Sequence, residues 1–296
     1  MLSDQEKTTG NFDTLLLERN QHMRPLKVAI LDMYKGHPNQ GMRNIREILE
    51  RYSMENNIEI DKKVYDVRNK HEVPGMEYDA YISTGGPGSP VDAEGWEDAF
   101  INLIHSVIIY NEKERIKKNI FLICHSFQVI CYHFNLANVC LRKREAFGIF
   151  PMHKTHLANN NIITRNLNEI FYAVDSRKWQ VTQPETKHLR IMGAKILAIE
   201  KERPHVPHER AIMAIQFTPE IIGTQFHPEA GERGMIYYLN LEEKKKIVID
   251  NYGISKYNNM LQQLTDPDKI KLTQKIMIPA FLDEAVKMLK INHTVS

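Results

Sequence analysis

The sequence is short of cysteine, of net charge and of long apolar runs, and each shortage excludes a class of protein. Its three cysteines, Cys124, Cys131 and Cys140, are odd in number and lack CxxC spacing. Neither a disulfide framework nor a zinc knuckle is signalled, and a reducing cytoplasm is the compartment expected. Lys plus Arg total 39 against 37 Asp plus Glu, a net charge of +2, which leaves no electrostatic footprint for nucleic acid or an anionic membrane. The mixed run Glu242-Glu243-Lys244-Lys245-Lys246 reads as a solvated helix face. Residues 1–24 mix acids and bases around one apolar clump, Leu15-Leu16-Leu17, and no later stretch is long and apolar enough to span a bilayer. Neither a signal peptide nor a membrane segment is therefore expected. Internal repeats and low-complexity tracts are also lacking.

What is present is an ordinary globular composition: 296 residues, 42% hydrophobic and 26% charged, enough for one well-filled α/β domain with an appendage. Residues 1–25 read as a peripheral arm, with one short helix around Asp13 to Asn20. From Leu26 the pattern alternates. Val28-Ala29-Ile30-Leu31 is a continuous apolar run of the kind found in strands buried on both faces. A turn-rich loop, His37-Pro38-Asn39-Gln40-Gly41, leads to Ile45, Ile48 and Leu49 at helical spacing. Val64–Val67 and Asp79–Ser83 are further strands, and Phe100, Leu103, Ile104, Val107 and Ile108 form the stripe of a helix with one buried face. After the strand Ile120–Ile123 and its helix, the chain reads as loop through Pro151 and His156, with a candidate strand at Phe171–Val174. Ala194–Ile199, Ala211–Ile215 and Ile221–Phe226 then follow at the short spacing of antiparallel neighbours.

Strands alternating with helices predict an α/β fold over residues 26–233, with a mostly parallel central sheet and helices on both faces. Residues 234–296 turn helical. Asp266-Pro267 is a helix start, and Ile278, Phe281, Leu282, Ala285 and Leu289 make an amphipathic stripe behind Pro279. This extension is expected to cover one face of the domain or to take part in a subunit contact.

Three stretches carry chemistry. In Ile120-Phe121-Leu122-Ile123-Cys124-His125-Ser126-Phe127-Gln128 a buried strand meets a helix across a sharp turn, with the thiol at the turn. The positive end of the new helix and its unpaired N–H groups favour thiolate there; taken alone, the same cysteine also fits a small apolar residue near a strand end. Thr84-Gly85-Gly86-Pro87-Gly88-Ser89-Pro90 sits just beyond a strand end, where glycines let backbone N–H groups approach a ligand. It reads as a tight turn or as half of an oxyanion hole, and with no Lys-Ser/Thr pair behind the glycines it is not a phosphate loop. In Gln225-Phe226-His227-Pro228-Glu229 the i and i+2 side chains of an extended segment point the same way, so Glu229 can orient the His227 ring. An oriented base is what a cysteine nucleophile requires.

Together and in this order, the glycine loop, the Cys-x-x-x-Gln elbow and the Gln-Phe-His-Pro-Glu run resemble the class I glutamine amidotransferases, over roughly Leu26 to Gly231. The resemblance implies a flavodoxin-like sheet and a Cys-His-Glu triad, with Cys124 attacking the glutamine side-chain amide, His227 moving the proton and Glu229 orienting it. It further implies an oxyanion hole at the N–H groups of Gly86 and His125, substrate contacts from Gln128 and the Gly88 backbone, and no metal or cofactor. Family elbows carry glycine where Leu122 and Ser126 stand here, which predicts a rearranged elbow or a different substrate. At Val174-Asp175-Ser176-Arg177 a histidine- or asparagine-led segment is expected to grip the amino acid, and Asp175 and Arg177 change the local charge. Three readings stay open: a glutaminase feeding ammonia to a synthetase or ligase on another chain, a γ-glutamyl peptidase or amidohydrolase with the same triad, and a non-catalytic binding module. Residues 234–296 are too few for an ATP-binding domain, so an ammonia acceptor is expected elsewhere.

Overall fold

The structure, a computed structural model, describes residues 24–202 and 209–293; the short helix expected around Asp13 to Asn20 lies outside them. The elements run β1 (Leu26–Asp32), α1 (Gln40–Asn56), β2 (Ile60–Asp66), a short α2 (Val67–Lys70), β3 (Ala80–Ser83), α3 (Glu97–Lys113), β4 (Asn119–Ile123) and α4 (His125–His133). Then come β5 (Ala137–Lys154), β6 (Ile170–Pro184), α5 (Thr186–Met192), β7 (Lys195–Glu200), β8 (Ile212–Gln216) and β9 (Ile221–Thr224). Four helices follow: α6 (Glu232–Asn240), α7 (Glu242–Tyr252), α8 (Ile254–Thr265) and α9 (Leu272–His293). No helix among the described residues is long and apolar enough to cross a membrane.

Nine strands form one sheet in the order β2-β1-β3-β4-β9-β8-β7-β5-β6. From β2 to β9 every pairing is parallel; from β9 to β6 every pairing is antiparallel. The parallel strands read as unbroken apolar runs because both of their faces are covered. Along β4, Ile120 and Leu122 face a core shared with α3 and α4, whereas Phe121 and Ile123 face the core built with α1 and α9. The edge strand β2 carries the exposed charges Asp61, Lys62 and Lys63, which discourage pairing with another chain.

The α9 stripe read from the sequence is buried: Ile278, Phe281, Leu282, Ala285 and Leu289 enter the α1 side of the core, and the Phe281 ring meets Phe121 edge-on at 5.4 Å. Tyr52 on α1 donates to Asp283 Oδ1 at 2.7 Å. A third cluster, including Leu239, Val248, Tyr257, Met260 and Leu264, packs α6, α7 and α8 on Ile149 and Val174. One expectation is corrected. The segment read as loop through Pro151 and His156 is the eighteen-residue strand β5, paired along β6. Its ladder is interrupted between Leu141 and Ala146, and the polar run Arg142-Lys143-Arg144-Glu145 at that interruption is what hid the strand.

Candidate active site

The ends of four parallel strands converge at the carboxyl edge of the sheet, where open α/β sheets hold their ligands. Tyr34 follows β1, Gly85 and Gly86 follow β3, Cys124 follows β4, and Gln225, His227 and Glu229 follow β9. From the antiparallel half, Val174 on β6 bridges to His227, its carbonyl accepting the His227 N–H at 2.8 Å.

Cys124 stands at φ 50, ψ −96 between β4 and α4. A non-glycine residue held there costs about 1–3 kcal/mol, and its surroundings hold it firmly. The Cys124 N–H donates to Thr224 O at 2.7 Å, extending the β4–β9 pairing to the turn itself. Ser126 closes the elbow from inside: its hydroxyl oxygen accepts from Ile123 N at 3.0 Å and lies 3.2 Å from Ser83 O. Leu122 is accommodated because its register partner on β9 is Gly223; a methyl group on Gly223 would stand 2.7 Å from Phe127 and 3.2 Å from Leu122 Cβ. The two departures from the family elbow therefore leave a strained strand-to-helix turn, one tied by a hydroxyl and the other relieved by a glycine across the sheet.

Cys124 is 5% exposed. Its sulfur lies 3.7 Å from Gln225 Nε2, a donor, and 3.8 Å from Ser176 O. Gly85 separates it from the His227 ring: a methyl group on Gly85 would be 3.4 Å from Cys124 Cβ and 2.9 Å from His227 Cε1. His227 Nδ1 donates to Glu229 Oε1 at 2.8 Å, which leaves Nε2 for proton transfer. Burial by itself would lower the His227 pKa, but the Glu229 carboxylate and then the Cys124 thiolate outweigh it and raise the pKa well above the usual value. Behind the pair, Gln274 Nε2 on α9 donates to the Glu229 carbonyl at 3.0 Å, so the C-terminal helix braces the backbone that carries the carboxylate.

His125 points its ring away from the thiol and onto Trp96, with centroids 6.0 Å apart. Burial, followed by the charge of Arg68, pushes its pKa down to about 3, so the ring is neutral at ordinary pH. As the first residue of α4 it has a backbone N–H without an intrahelical acceptor. Gly86 backs onto the Met33 carbonyl so closely that no side chain would fit. Gly88, at φ 98, lies further along the same loop. Gln128 is buried, and its amide donates to Trp179 O at 3.2 Å and to Gln225 Oε1 at 3.1 Å.

Asp175 and Arg177 do not present free charges. Arg177 Nε lies 2.9 and 3.0 Å from the two Asp175 oxygens, and Arg177 Nη2 lies 3.3 Å from Glu200, which also pairs with Arg142 at 3.2 Å. Two guanidinium groups and two carboxylates thus sit together in the antiparallel half, and their charges cancel.

Sequence reasoning overlooked Tyr34. Burial and then the Glu229 charge raise its pKa well above the phenol range. Gly41, in the first turn of α1, separates its hydroxyl from the carboxylate: a methyl group there would collide with the Tyr34 hydroxyl and lie 3.3 Å from Glu229 Oε1. A glycine inside a helix was the one visible signal; the Tyr34 contact itself is long-range.

The family model Glutamine amidotransferase class-I matches residues 42–236. Among solved structures, a glutamine amidotransferase from Thermotoga maritima shares 16% identity at a TM-score of 0.61, over 89% of this chain and 99% of that one. A glutamine amidotransferase from Methylobacillus flagellatus shares 12% at 0.60, over 90% and 95%. The glutaminase domain of Trypanosoma brucei CTPS with bound acivicin shares 14% at 0.56, over 88% and 94%. At these identities the likeness is one of fold. No curated protein matches the chain in sequence.

Proposed function

Because the chain belongs to the class-I glutamine amidotransferase family, we propose that it hydrolyses the side-chain amide of glutamine through a cysteine thioester and passes the ammonia to an acceptor enzyme on another chain. The observation that carries this reading is the His227 Nδ1–Glu229 Oε1 bond of 2.8 Å set beside a cysteine at a strained elbow. The Cys124 thiolate attacks the amide carbon, and the charge that gathers on the amide oxygen is met by the N–H groups of Gly86 and His125. The imidazolium of His227 gives its proton to the leaving nitrogen, the C–N bond breaks, and ammonia departs from a glutamyl thioester. His227, now neutral, takes a proton from water; the hydroxide attacks the thioester, glutamate leaves and the thiolate–imidazolium pair is restored.

Gln128 and the Gly88 backbone are the proposed substrate contacts. Gln128 acts through the Gln225 amide it holds as well as through its own. A synthetase partner is supported by analogy with the glutaminase domain of the trypanosomal CTPS. A second reading, a γ-glutamyl peptidase of the same chemistry, draws on one observation: where a segment gripping free glutamine is expected, Asp175 and Arg177 are spent on each other.

The test is to follow ammonia and glutamate from glutamine and from a γ-glutamyl dipeptide, with wild-type protein and with Cys124→Ala, alone and with whatever synthetase co-purifies. Glutamine turnover lost in Cys124→Ala supports the first reading, and turnover of the dipeptide alone supports the second. Turnover of neither, with no labelling of Cys124 by a thiol-directed glutamine analogue, overturns both.

A further inference from the structure

Arg68 lies on α2 in a stretch without any motif, yet its side chain is 1% exposed. We propose that Arg68 is a positioning residue that fixes the glycine loop carrying Gly86 and sets a buried positive charge behind the two oxyanion N–H groups. The proposal rests on the amidotransferase reading above.

The contacts of this side chain converge on that loop. One terminal nitrogen, Nη1, donates to Pro87 O and, at 3.2 Å, to Met33 O; the other, Nη2, meets Glu94 Oε2 at 2.8 Å. The same guanidinium therefore ties the loop after β3 to the end of β1 and to the segment leading into α3. Methyl groups on Gly86 and Gly88 would come within 3.2 and 3.1 Å of its terminal nitrogens, so the loop backbone lies directly against the cation. Its carbon stands 5.4 Å from the Trp96 ring, which packs on the His125 ring at the start of α4. One residue thus reaches the carriers of both oxyanion donors, the first directly and the second through Trp96.

Two physical consequences follow. A planar fork that serves two carbonyls and a carboxylate at once cannot be replaced by the point charge of lysine. A cation out of water acts through a low dielectric, so its field favours negative charge developing on a nearby oxygen. Glu94 offsets that charge only in part, because it is shared with Lys35 at 3.1 Å and sits nearer the surface.

The experiment compares wild-type protein with Arg68→Lys and Arg68→Gln in two assays. The first gives kcat and KM for glutamine; the second is the rate at which iodoacetamide alkylates Cys124, a displacement that forms no oxyanion. The expected result is a kcat lower by about 10–100-fold in Arg68→Gln, short of the roughly 10²–10³-fold loss on removing a direct donor, with KM and alkylation within about threefold of wild type. Arg68→Lys keeps the charge and loses the fork; an intermediate kcat with unchanged alkylation is expected, and it carries the test if Arg68→Gln does not fold. An unchanged kcat in an active wild-type background overturns the proposal alone, as does a fall of kcat and alkylation together in Arg68→Lys. A wild-type protein inert toward glutamine overturns the proposal together with the reading beneath it.

Discussion

In the parallel half of the sheet, strands β1, β3, β4 and β9 are short runs of buried apolar residues, and each ends in a glycine or a side chain with a proposed chemical task. In the antiparallel half, β5 and β6 are long, polar and interrupted, and their charged groups are paired with one another beside the site: Arg177 with Asp175, and Arg142 and Arg177 with Glu200. What β6 offers the site is backbone: Val174 O to His227, Ser176 O near Cys124 and Trp179 O to Gln128. The difference teaches that one half carries out the chemistry while the other forms a wall, and that charge near an active site can be structural when it is fully paired.

The strongest way to break this comparison is Asp175→Ala. If the segment is a wall, leaving Arg177 without its bidentate partner costs about 3–5 kcal/mol of stability, read from denaturant unfolding, while the glutamine KM of the folded fraction stays close to wild type. A stable Asp175→Ala variant with a large rise in KM would move the segment from the wall into the chemistry.

Next comes Glu229→Gln, which leaves the shape of the parallel half intact and removes the charge that orients His227. A loss of about 10²-fold in kcat, or roughly 2.7 kcal/mol, is expected. The pH profile gives the sign. His227 must be protonated to release ammonia, and its raised pKa keeps it so above neutrality; activity falls on the alkaline side as that proton is lost. Without the carboxylate the pKa drops, so the alkaline limb moves to lower pH in Glu229→Gln. The imidazole nitrogen NMR signals of His227 should show the same downward shift, and an unmoved limb would count against Glu229 as its partner.

The smallest expected effect is that of Gln274→Ala on α9. Removing the 3.0 Å bond to the Glu229 carbonyl should cost about 1 kcal/mol and lower kcat by a few fold with KM unchanged, in kinetics and thermal melts. An effect as large as that of Glu229→Gln would make the C-terminal helix part of the machinery and not a brace.

The same contrast explains what could be read from the sequence. Val28–Leu31 and Ile120–Ile123 announce buried strands because apolar runs between turn residues have few other meanings, and the stripe from Ile278 to Leu289 declares a helix against a core. Strand β5 was hidden because Arg142–Glu145 interrupt its ladder and its length spans several polar stretches. At the site, sequence order could align a thiol, a glycine loop and a His-Pro-Glu run, but not the contacts that tune them. Ser126 tied to Ser83, Gly223 opposite Leu122, Gly41 beside Tyr34 and Arg68 against the Gly86 loop all join residues distant in the chain and close only after folding.

The central claim is that Cys124 forms a thioester with the acyl group of glutamine. Its most direct test is intact-protein and peptide mass spectrometry after rapid mixing with glutamine and acid quenching. The account predicts a transient glutamyl adduct on the peptide containing Cys124, lost in Cys124→Ala and, because His227 must deprotonate the hydrolytic water, longer-lived in water-poor or alcohol-free quench conditions only insofar as hydrolysis is slowed. Glutamine turnover with no adduct on that peptide under any quench time, or undiminished turnover in Cys124→Ala, would contradict it.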